Sequence, residues 1–214
     1  MSVGEHGVGD PIVWVDCEMT GLDLTRDALI EIAVVVTDSA LTPLGDGVDI
    51  VIKPPARALA EMSEYVRDMH RASGLLSLLD AGVTLAEAEA RVMEYLRAYA
   101  PQAGKAPLAG NSVGTDRGFI ERDMPRLAAH LHYRTIDVSS LKELTRRWYP
   151  RVYFAAPVKL GGHRALGDIR DSIDELRYYR ACVLVPEPGP DSDTARAHAL
   201  AVQESSARGA SGSL

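Results

Sequence analysis

Four acidic side chains and one histidine, carried by three separate segments, are the residues of this chain best suited to chemistry. They are Asp16, Glu18, Asp116, His163 and Asp168. Asp16 and Glu18 end an apolar run, and on a β-strand residues two apart project from the same face. Clustered carboxylates repel one another unless a cation lies among them, and hard oxygen ligands favour Mg²⁺ or Mn²⁺ over zinc. Carboxylates that hold two metal ions beside one base are typical of phosphodiester hydrolysis.

His163 is one of six histidines, and most single histidines are structural residues. It follows the flexible pair Gly161-Gly162 and precedes Asp168 by five residues. This location favours a general base that removes a proton from the attacking water. Asp116 and Asp168 each lie near a predicted helix start, where an acidic residue also complements the helix dipole. From the residues alone, that second interpretation of the two aspartates stays open.

A pattern of four short segments extends over about residues 12–183: VDCEMTGLD, GNSVGTDR, HYRTIDVSSLKEL and HRALGDIRDSI. Together they resemble the oligoribonucleases, of the Asp-Glu-Asp-Asp-His superfamily of 3′→5′ exonucleases. The resemblance implies a ribonuclease-H-like exonuclease fold. It also implies an enzyme that hydrolyses short single-stranded oligoribonucleotides, down to dinucleotides, to nucleoside 5′-monophosphates. A homodimer is implied as well, which composition cannot indicate.

The resemblance assigns roles to the five residues and to six others. The metal ligands would be Asp16, Glu18, Asp116 and Asp168, holding two ions of Mg²⁺ or Mn²⁺ with Asp16 between them, and His163 would be the base. The implied contacts to substrate are Leu22, Tyr65, Ser112, Tyr133, Arg134 and Ser139.

Three of these contacts concern the terminal phosphate of the substrate. Ser112, Arg134 and Ser139 match a family segment that holds this phosphate, and a guanidinium pairs with phosphate through two hydrogen bonds. A phosphate site just beyond one or two nucleotides would restrict the enzyme to very short RNA. Tyr133 resembles a tyrosine that reaches the active site of the other subunit.

Leu22 and Tyr65 are candidates for contact with bases. Leu22 follows Thr20-Gly21, and Tyr65 offers a ring on which a base can stack. Each has an equally good alternative as a core residue, since Tyr65 has helical spacing with Met62 and Met69. The family often has tryptophan at the position of Tyr65, so the stacking here differs in strength.

Composition indicates one globular domain. The 214 residues, 46% hydrophobic, suffice for a single well-packed core. A net charge of −7 argues against a broad basic face for long nucleic acid and favours a small pocket. The sequence shows neither a signal-peptide pattern nor a membrane span, and two cysteines make no disulfide framework, so we expect the cytoplasm.

The hydrophobic pattern predicts an α/β domain with a five-stranded mixed sheet flanked by helices. Strands are expected at residues 12–17, 29–37, 48–52, 107–110 and 135–137, the first three as a meander. Helices are expected after a capping box at Thr84 and Glu87, from about Thr115, after a cap at Ser140, and over residues 164–183. A loop is expected over residues 151–162. The exonuclease domain is expected to span residues 1–185, with a disordered tail, or at most a short helix over residues 194–203, in 186–214.

Two other functions stay open. One is a DNA-directed 3′→5′ exonuclease of the same superfamily, against which the segment HYRTIDVSS argues. The other is a catalytically silent nucleic-acid-binding module, against which the five intact site residues argue. A glycosidase with paired carboxylates is disfavoured, because 6% aromatic residues is little material for a sugar groove.

Overall fold

A five-stranded mixed sheet forms the centre of the computed structural model, which describes residues 10–158 and 162–211. The strands are β1 (Ile12–Met19), β2 (Leu29–Thr37), β3 (Pro43–Val51), β4 (Pro107–Gly110) and β5 (His132–Asp137). Their order in the sheet is β3-β2-β1-β4-β5. The first three form an antiparallel meander, while β4 runs parallel to β1 and β5 runs parallel to β4.

Helices cover both faces of this sheet. The helices of the described residues are α1 (Ala56–Glu61), α2 (Glu64–Ala72), α3 (Leu85–Tyr99), α4 (Gly114–Asp123), α5 (Pro125–His130), α6 (Val138–Trp148), α7 (Pro150–Phe154), α8 (Ala165–Cys182) and α9 (Ser192–Ser211, exposed over residues 192–207), with a 3₁₀ helix at Leu75–Ala81.

Alternate residues of β1 face two different cores, as the period of a strand requires. Val13, Val15 and Cys17 pack in a core with α3, α4 and α5. Trp14 faces the opposite side, in a core with α8 and the start of α6. Every residue of β2 is buried, because helices cover both faces of that strand. The sheet therefore presents one face to α8, and this is the face that matters for the site.

The predicted class and sheet are confirmed. Five strands form a mixed sheet flanked by helices, and the first three form the expected meander. Thr84 is confirmed as the N-cap of α3, since its hydroxyl accepts a hydrogen bond from the Glu87 N–H at 3.2 Å, while the Glu87 carboxylate pairs with Arg91. β3 begins at Pro43, earlier than the expected residue 48.

Two local predictions are wrong. Helix α6 begins at Val138 instead of after Ser140, because the Asp137 carboxylate accepts a hydrogen bond from the Ser139 N–H at 2.9 Å and caps the helix there. The loop expected over residues 151–162 contains α7 in its first part. Pro150 is the first residue of α7, a position where proline fits well.

The two ends of the chain are described in part. Residues 1–9 and 212–214 lie outside the described residues, and so does Gly161 of the predicted flexible pair. Helix α9 is longer than the short helix left open over residues 194–203, and its side chains are exposed over residues 192–207. The division of the chain after residue 185 stays a prediction. Among the described helices, none has the length and apolarity to cross a bilayer.

Candidate active site

Strand β1 places Asp16 and Glu18 on the face of the sheet that α8 covers. Both continue the alternation begun by Trp14, while Cys17 between them points into the opposite core. Asp16 is half-buried and Glu18 is buried. Two carboxylates therefore project together at the C-terminal end of β1, against the start of α8.

Asp116 approaches the same strand from α4. Its side chain is buried, and Oδ1 accepts a hydrogen bond from the backbone N–H of Cys17 at 2.9 Å. Because β4 runs parallel to β1, the chain that leaves β4 enters α4 at the edge where β1 ends. Asp116 therefore does more than complement the dipole of α4, because it is hydrogen-bonded to Cys17, the residue between Asp16 and Glu18.

Helix α8 brings the remaining two predicted residues to this edge. Asp168 lies in its first turn, and His163 precedes its N-terminus. Glu18, His163 and Asp168 each present one ligand atom, and these three atoms lie within 4.8 Å of one another. The His163 backbone has φ of 60°, a left-handed conformation that non-glycine residues seldom adopt and that recurs at functional sites.

The carboxyl groups of this cluster have strongly raised pKa values. Burial, followed by repulsion from Asp116, Asp168 and Glu18, raises the pKa of Asp16 to about 9. Burial, then Asp168, raises the pKa of Glu18 to about 8. Burial also raises the pKa of Asp116 to about 7, although the Cys17 N–H opposes this by stabilising the anion. The site thus holds more acidic groups than can ionise together without a cation.

The donor set fits hard divalent cations. Three carboxylates from β1 and α4 and a fourth from α8 offer oxygen ligands, and one imidazole stands beside them. Mg²⁺ and Mn²⁺ prefer such oxygen ligands. The Cys17 thiol contacts Asp116, but burial and the neighbouring carboxylates raise its pKa and keep it protonated. A bound cation would also offset the repulsion that raises the pKa values.

The predicted phosphate residues Ser112 and Ser139 are joined to each other. The Ser112 N–H donates to Ser139 Oγ at 2.8 Å and to Asp137 Oδ1 at 3.0 Å, and the two hydroxyl oxygens are 3.0 Å apart. Ser139 Oγ also donates to Asn111 Oδ1 at 3.1 Å. The end of β4 and the start of α6 therefore form one small hydroxyl cluster beside α4.

The other predicted substrate contacts are on the surface. Tyr133 is 71% exposed, and the Arg134 guanidinium lies 5.4 Å from the centre of its ring. Leu22 is 74% exposed and Tyr65 is 79% exposed, so neither is the core residue that the sequence left open. Large apolar side chains at such exposure are available to a ligand.

His70 is a neighbour of the cluster that the sequence did not reveal. Its Nε2 lies 2.9 Å from the Met19 carbonyl oxygen, and its buried Nδ1 faces the Glu18 carboxylate at 3.9 Å. Burial lowers the pKa of the ring. On a helix after Met69, this histidine gave no signal that would separate it from a structural one.

Glu31 and Arg164 were missed as well. Glu31 is fully buried in β2, and Arg164, the residue after His163, forms an ion pair with it. A signal was present, because an acidic residue inside the apolar run LIEIAVVVT is costly to bury without a partner. The partner is 133 residues away and could not be identified from spacing.

Comparisons with known proteins identify the family of this chain. The RNase_T exonuclease family model matches residues 13–176. The oligoribonuclease of Streptomyces coelicolor is 67% identical over 190 residues, which cover 89% of this chain and 95% of the relative. The oligoribonuclease of Mycobacterium avium is 56% identical over 196 residues, covering 91% of each chain.

Solved structures share the fold. The exonuclease I of Methylocaldum szegediense superposes with a TM-score of 0.60 at 20% identity, over 81% of this chain and 41% of that one. A zinc-bound complex of Escherichia coli exonuclease I with single-stranded DNA gives a TM-score of 0.61 at 15% identity, over 80% and 40%. This chain therefore spans about two fifths of the exonuclease I structures.

Proposed function

We propose that this chain is a 3′→5′ exoribonuclease acting on short RNA, because it belongs to the RNase_T exonuclease family and within it to the oligoribonucleases. Its substrates would be single-stranded oligoribonucleotides down to dinucleotides, and its products nucleoside 5′-monophosphates. One observation carries the proposal within the structure. Carboxylates from β1, α4 and α8 converge with His163 at one edge of the sheet, under strong mutual repulsion.

Asp16, Glu18, Asp116 and Asp168 would hold two divalent ions, Mg²⁺ or Mn²⁺. The raised pKa values of Asp16 and Glu18 support this role, since both groups need a proton or a cation. When bound, two such ions would lower the pKa of water and offset the charge that develops on the phosphate and the departing 3′ oxygen. Cys17 would hold Asp116 in place through its N–H.

His163 would accept the proton of the attacking water at a ring nitrogen. Its side chain is exposed and its ring lies beside the carboxylates of Glu18 and Asp168. Glu18 and Asp168 would therefore serve as metal ligands beside the base.

The substrate would be short because its terminal phosphate is held close to the site. Ser112 and Ser139, already joined by hydrogen bonds, would bind that phosphate together with Arg134. Leu22 and Tyr65, both exposed, would contact the bases. Tyr133 would reach the site of a second copy in a homodimer, which its exposure supports. The free cysteines Cys17 and Cys182 support a reducing, cytoplasmic location.

A length series of 5′-phosphorylated RNAs, from dinucleotides upward, with Mn²⁺ and with or without chelator, tests the proposal. We expect a steep fall in rate beyond a few nucleotides and no turnover with chelator. The Asp16→Ala and Asp168→Ala variants should fold and be inactive. DNA dinucleotides serve as the matched substrate control. A preference for long DNA would contradict the substrate assignment, and absence of hydrolysis at saturating Mn²⁺ would contradict an enzymatic role.

A further inference from the structure

A fifth carboxylate lies next to the proposed metal ligands but is occupied by other partners. Glu31 stands directly opposite Glu18 in the β1–β2 pairing, so the two side chains project from the same face of the sheet. Glu31 is fully buried. A carboxylate in this place would be expected to join the metal site unless another positive group held it.

Arg164 and the start of α8 hold Glu31. Its Oε1 accepts hydrogen bonds from the Arg164 Nε at 2.9 Å and contacts Nη2 at 2.7 Å. Its Oε2 accepts a hydrogen bond from the Ala165 backbone N–H at 3.1 Å. Both oxygens are therefore used, one by a guanidinium and one by a helix N–H. The Arg164 guanidinium also lies 3.7 Å from Asp49 Oδ2, so it serves two carboxyl groups.

These bonds fix the N-terminus of α8 to strand β2. Arg164 is the N-cap residue of α8 and makes no side-chain capping bond of its own. Glu31 supplies the missing acceptor from another element, and its negative charge suits a helix N-terminus. The anchored residues lie between His163 on one side and Asp168 on the other.

We propose that Glu31 and Arg164 are a positioning pair that sets the place of His163 and Asp168 relative to Glu18. The inference rests on the proposed function, because it concerns how the same site is held. Glu31 touches neither substrate nor metal in this assignment. It acts through Arg164 and Ala165, which carry the two functional residues on either side. A fixed approach of α8 is needed because small displacements of ligands and base are costly in rate.

A matched control exists elsewhere in the fold. Glu89 of α3, also buried, accepts hydrogen bonds from the Arg126 N–H at 2.7 Å and Nε at 2.8 Å, and from the Leu127 N–H at 3.2 Å, at the start of α5. Glu89 thus binds an arginine and the N–H groups of a helix N-terminus, as Glu31 does. Leu127 lies in the core on the opposite face of the sheet from α8.

The experiment compares Glu31→Gln with Glu89→Gln. For each variant, the thermal midpoint, the Mn²⁺ affinity without substrate, and kcat and KM on an RNA dinucleotide are measured. Both should lose stability. Glu31→Gln alone should lose on the order of 10- to 100-fold in kcat and in Mn²⁺ affinity, the usual cost of removing a partner that orients a metal site. KM should change little, because the predicted base contacts lie on other elements.

Arg164→Lys is a second variant that leaves no unpaired buried charge. The lysine keeps a positive charge near Glu31 but loses the two-nitrogen fork, so a smaller fall in kcat is expected. If both variants match Glu89→Gln in Mn²⁺ affinity and kcat, the positioning role is wrong. Asp168→Ala is included in the same series. If that variant kept its activity, the assignment of the site itself would fail, independently of Glu31.

Discussion

The carboxyl groups of Asp16 and Glu18 have pKa values raised to about 9 and about 8 by burial and by their acidic neighbours. In the unfolded chain the same groups ionise near their ordinary values of 3.8 and 4.5. Between these limits the folded protein binds more protons than the unfolded chain, so its stability falls as the pH rises. His70 acts in the opposite direction, because its pKa is lowered, but only near and below its ordinary value of 6.5.

We therefore expect the metal-free protein to lose thermal stability between about pH 7 and pH 9. Saturating Mn²⁺ should reverse the loss, because the cation takes the place of the protons. Differential scanning fluorimetry with a chelator measures both effects. Asp16→Asn is the control, and its midpoint should vary less with pH. A metal-free protein with a higher midpoint at the alkaline end of this range would contradict the burial of ionisable carboxyl groups.

The role of His163 makes a separate prediction. As a general base it should contribute on the order of 10²-fold or more to kcat, and His163→Ala should lose that amount. A ring nitrogen of His163 lies within 4.8 Å of carboxylate oxygens of Glu18 and Asp168, close enough for all three to bind one metal ion. The Mn²⁺ affinity must therefore be measured as well. A base that is not a ligand predicts unchanged affinity. The matched control is His198→Ala on the exposed helix α9, and a parallel loss of affinity and kcat would make His163 a ligand instead.

Among the helices, α6 has a cap that serves two purposes. The Asp137 carboxylate accepts hydrogen bonds from the N–H groups of Ser139 and Ser112, so it ends β5, begins α6 and fixes the proposed phosphate residues. Asp137→Ala should cost about 1 kcal/mol in stability, the usual loss for an N-cap. It should also raise KM for a 5′-phosphorylated dinucleotide.

Thr84→Ala separates these two effects, because Thr84 caps α3 by the same kind of bond. It should lower stability similarly and leave KM unchanged. Equal KM values for the two variants would mean that the hydroxyl cluster of Ser112 and Ser139 plays no part in substrate binding. Denaturant unfolding gives the stability, and steady-state kinetics gives KM.

Long periodic segments and the short strand β4 were predictable from sequence, whereas the start of α6 and helix α7 were not. The apolar run of β2 and the N-cap of α3 at Thr84 are local signals, and the structure has both as expected. The start of α6 was placed too late because the Ser140 and Glu143 pattern competes with Asp137, whose bond to Ser112 joins residues 25 apart. Helix α7 has five residues, too few for a hydrophobic period to appear.

The same distinction applies to the site. Strand period alone placed Asp16 and Glu18 together, whereas Asp116 and Asp168 could equally have served a helix dipole. The bond from the Cys17 N–H to Asp116 joins residues 99 apart, and the pairing of Glu31 with Arg164 joins residues 133 apart. Such contacts depend on the tertiary fold, so the resemblance to a family supplied what spacing could not.

The organisation of the chain makes a prediction about its C-terminal segment. The described side chains of α9 are exposed, and the three hydrophobic core clusters lie within residues 12–183. A chain that ends at Val185 should therefore keep the thermal midpoint and the dinucleotide activity of the full chain. A large loss of either would show that residues 186–214 pack on the domain or complete its site.

Exposed large side chains on β5, α6 and α7 are candidates for the contact surface of the proposed homodimer. β5 is an edge strand, and Tyr133 on it, Trp148 at the end of α6 and Phe154 in α7 are 71%, 64% and 82% exposed. Edge strands and exposed groups of large apolar residues both favour association. If this surface pairs two copies, Tyr133 of each copy would stand where it can reach the site of the other.

Phe154→Asp should then convert the dimer to a monomer, because a charge would be buried at the contact. Size-exclusion chromatography with light scattering gives the mass, and activity measured over a dilution series gives its consequence. Leu200→Asp, an equally drastic change on exposed α9, should keep the mass of the parent. Tyr133 would be supplied by the second copy, so the specific activity of the parent should fall on dilution as the dimer dissociates. The Phe154→Asp variant, already a monomer, should show no further fall. A parent chain that is monomeric and fully active would remove both the dimer and the role of Tyr133 across it.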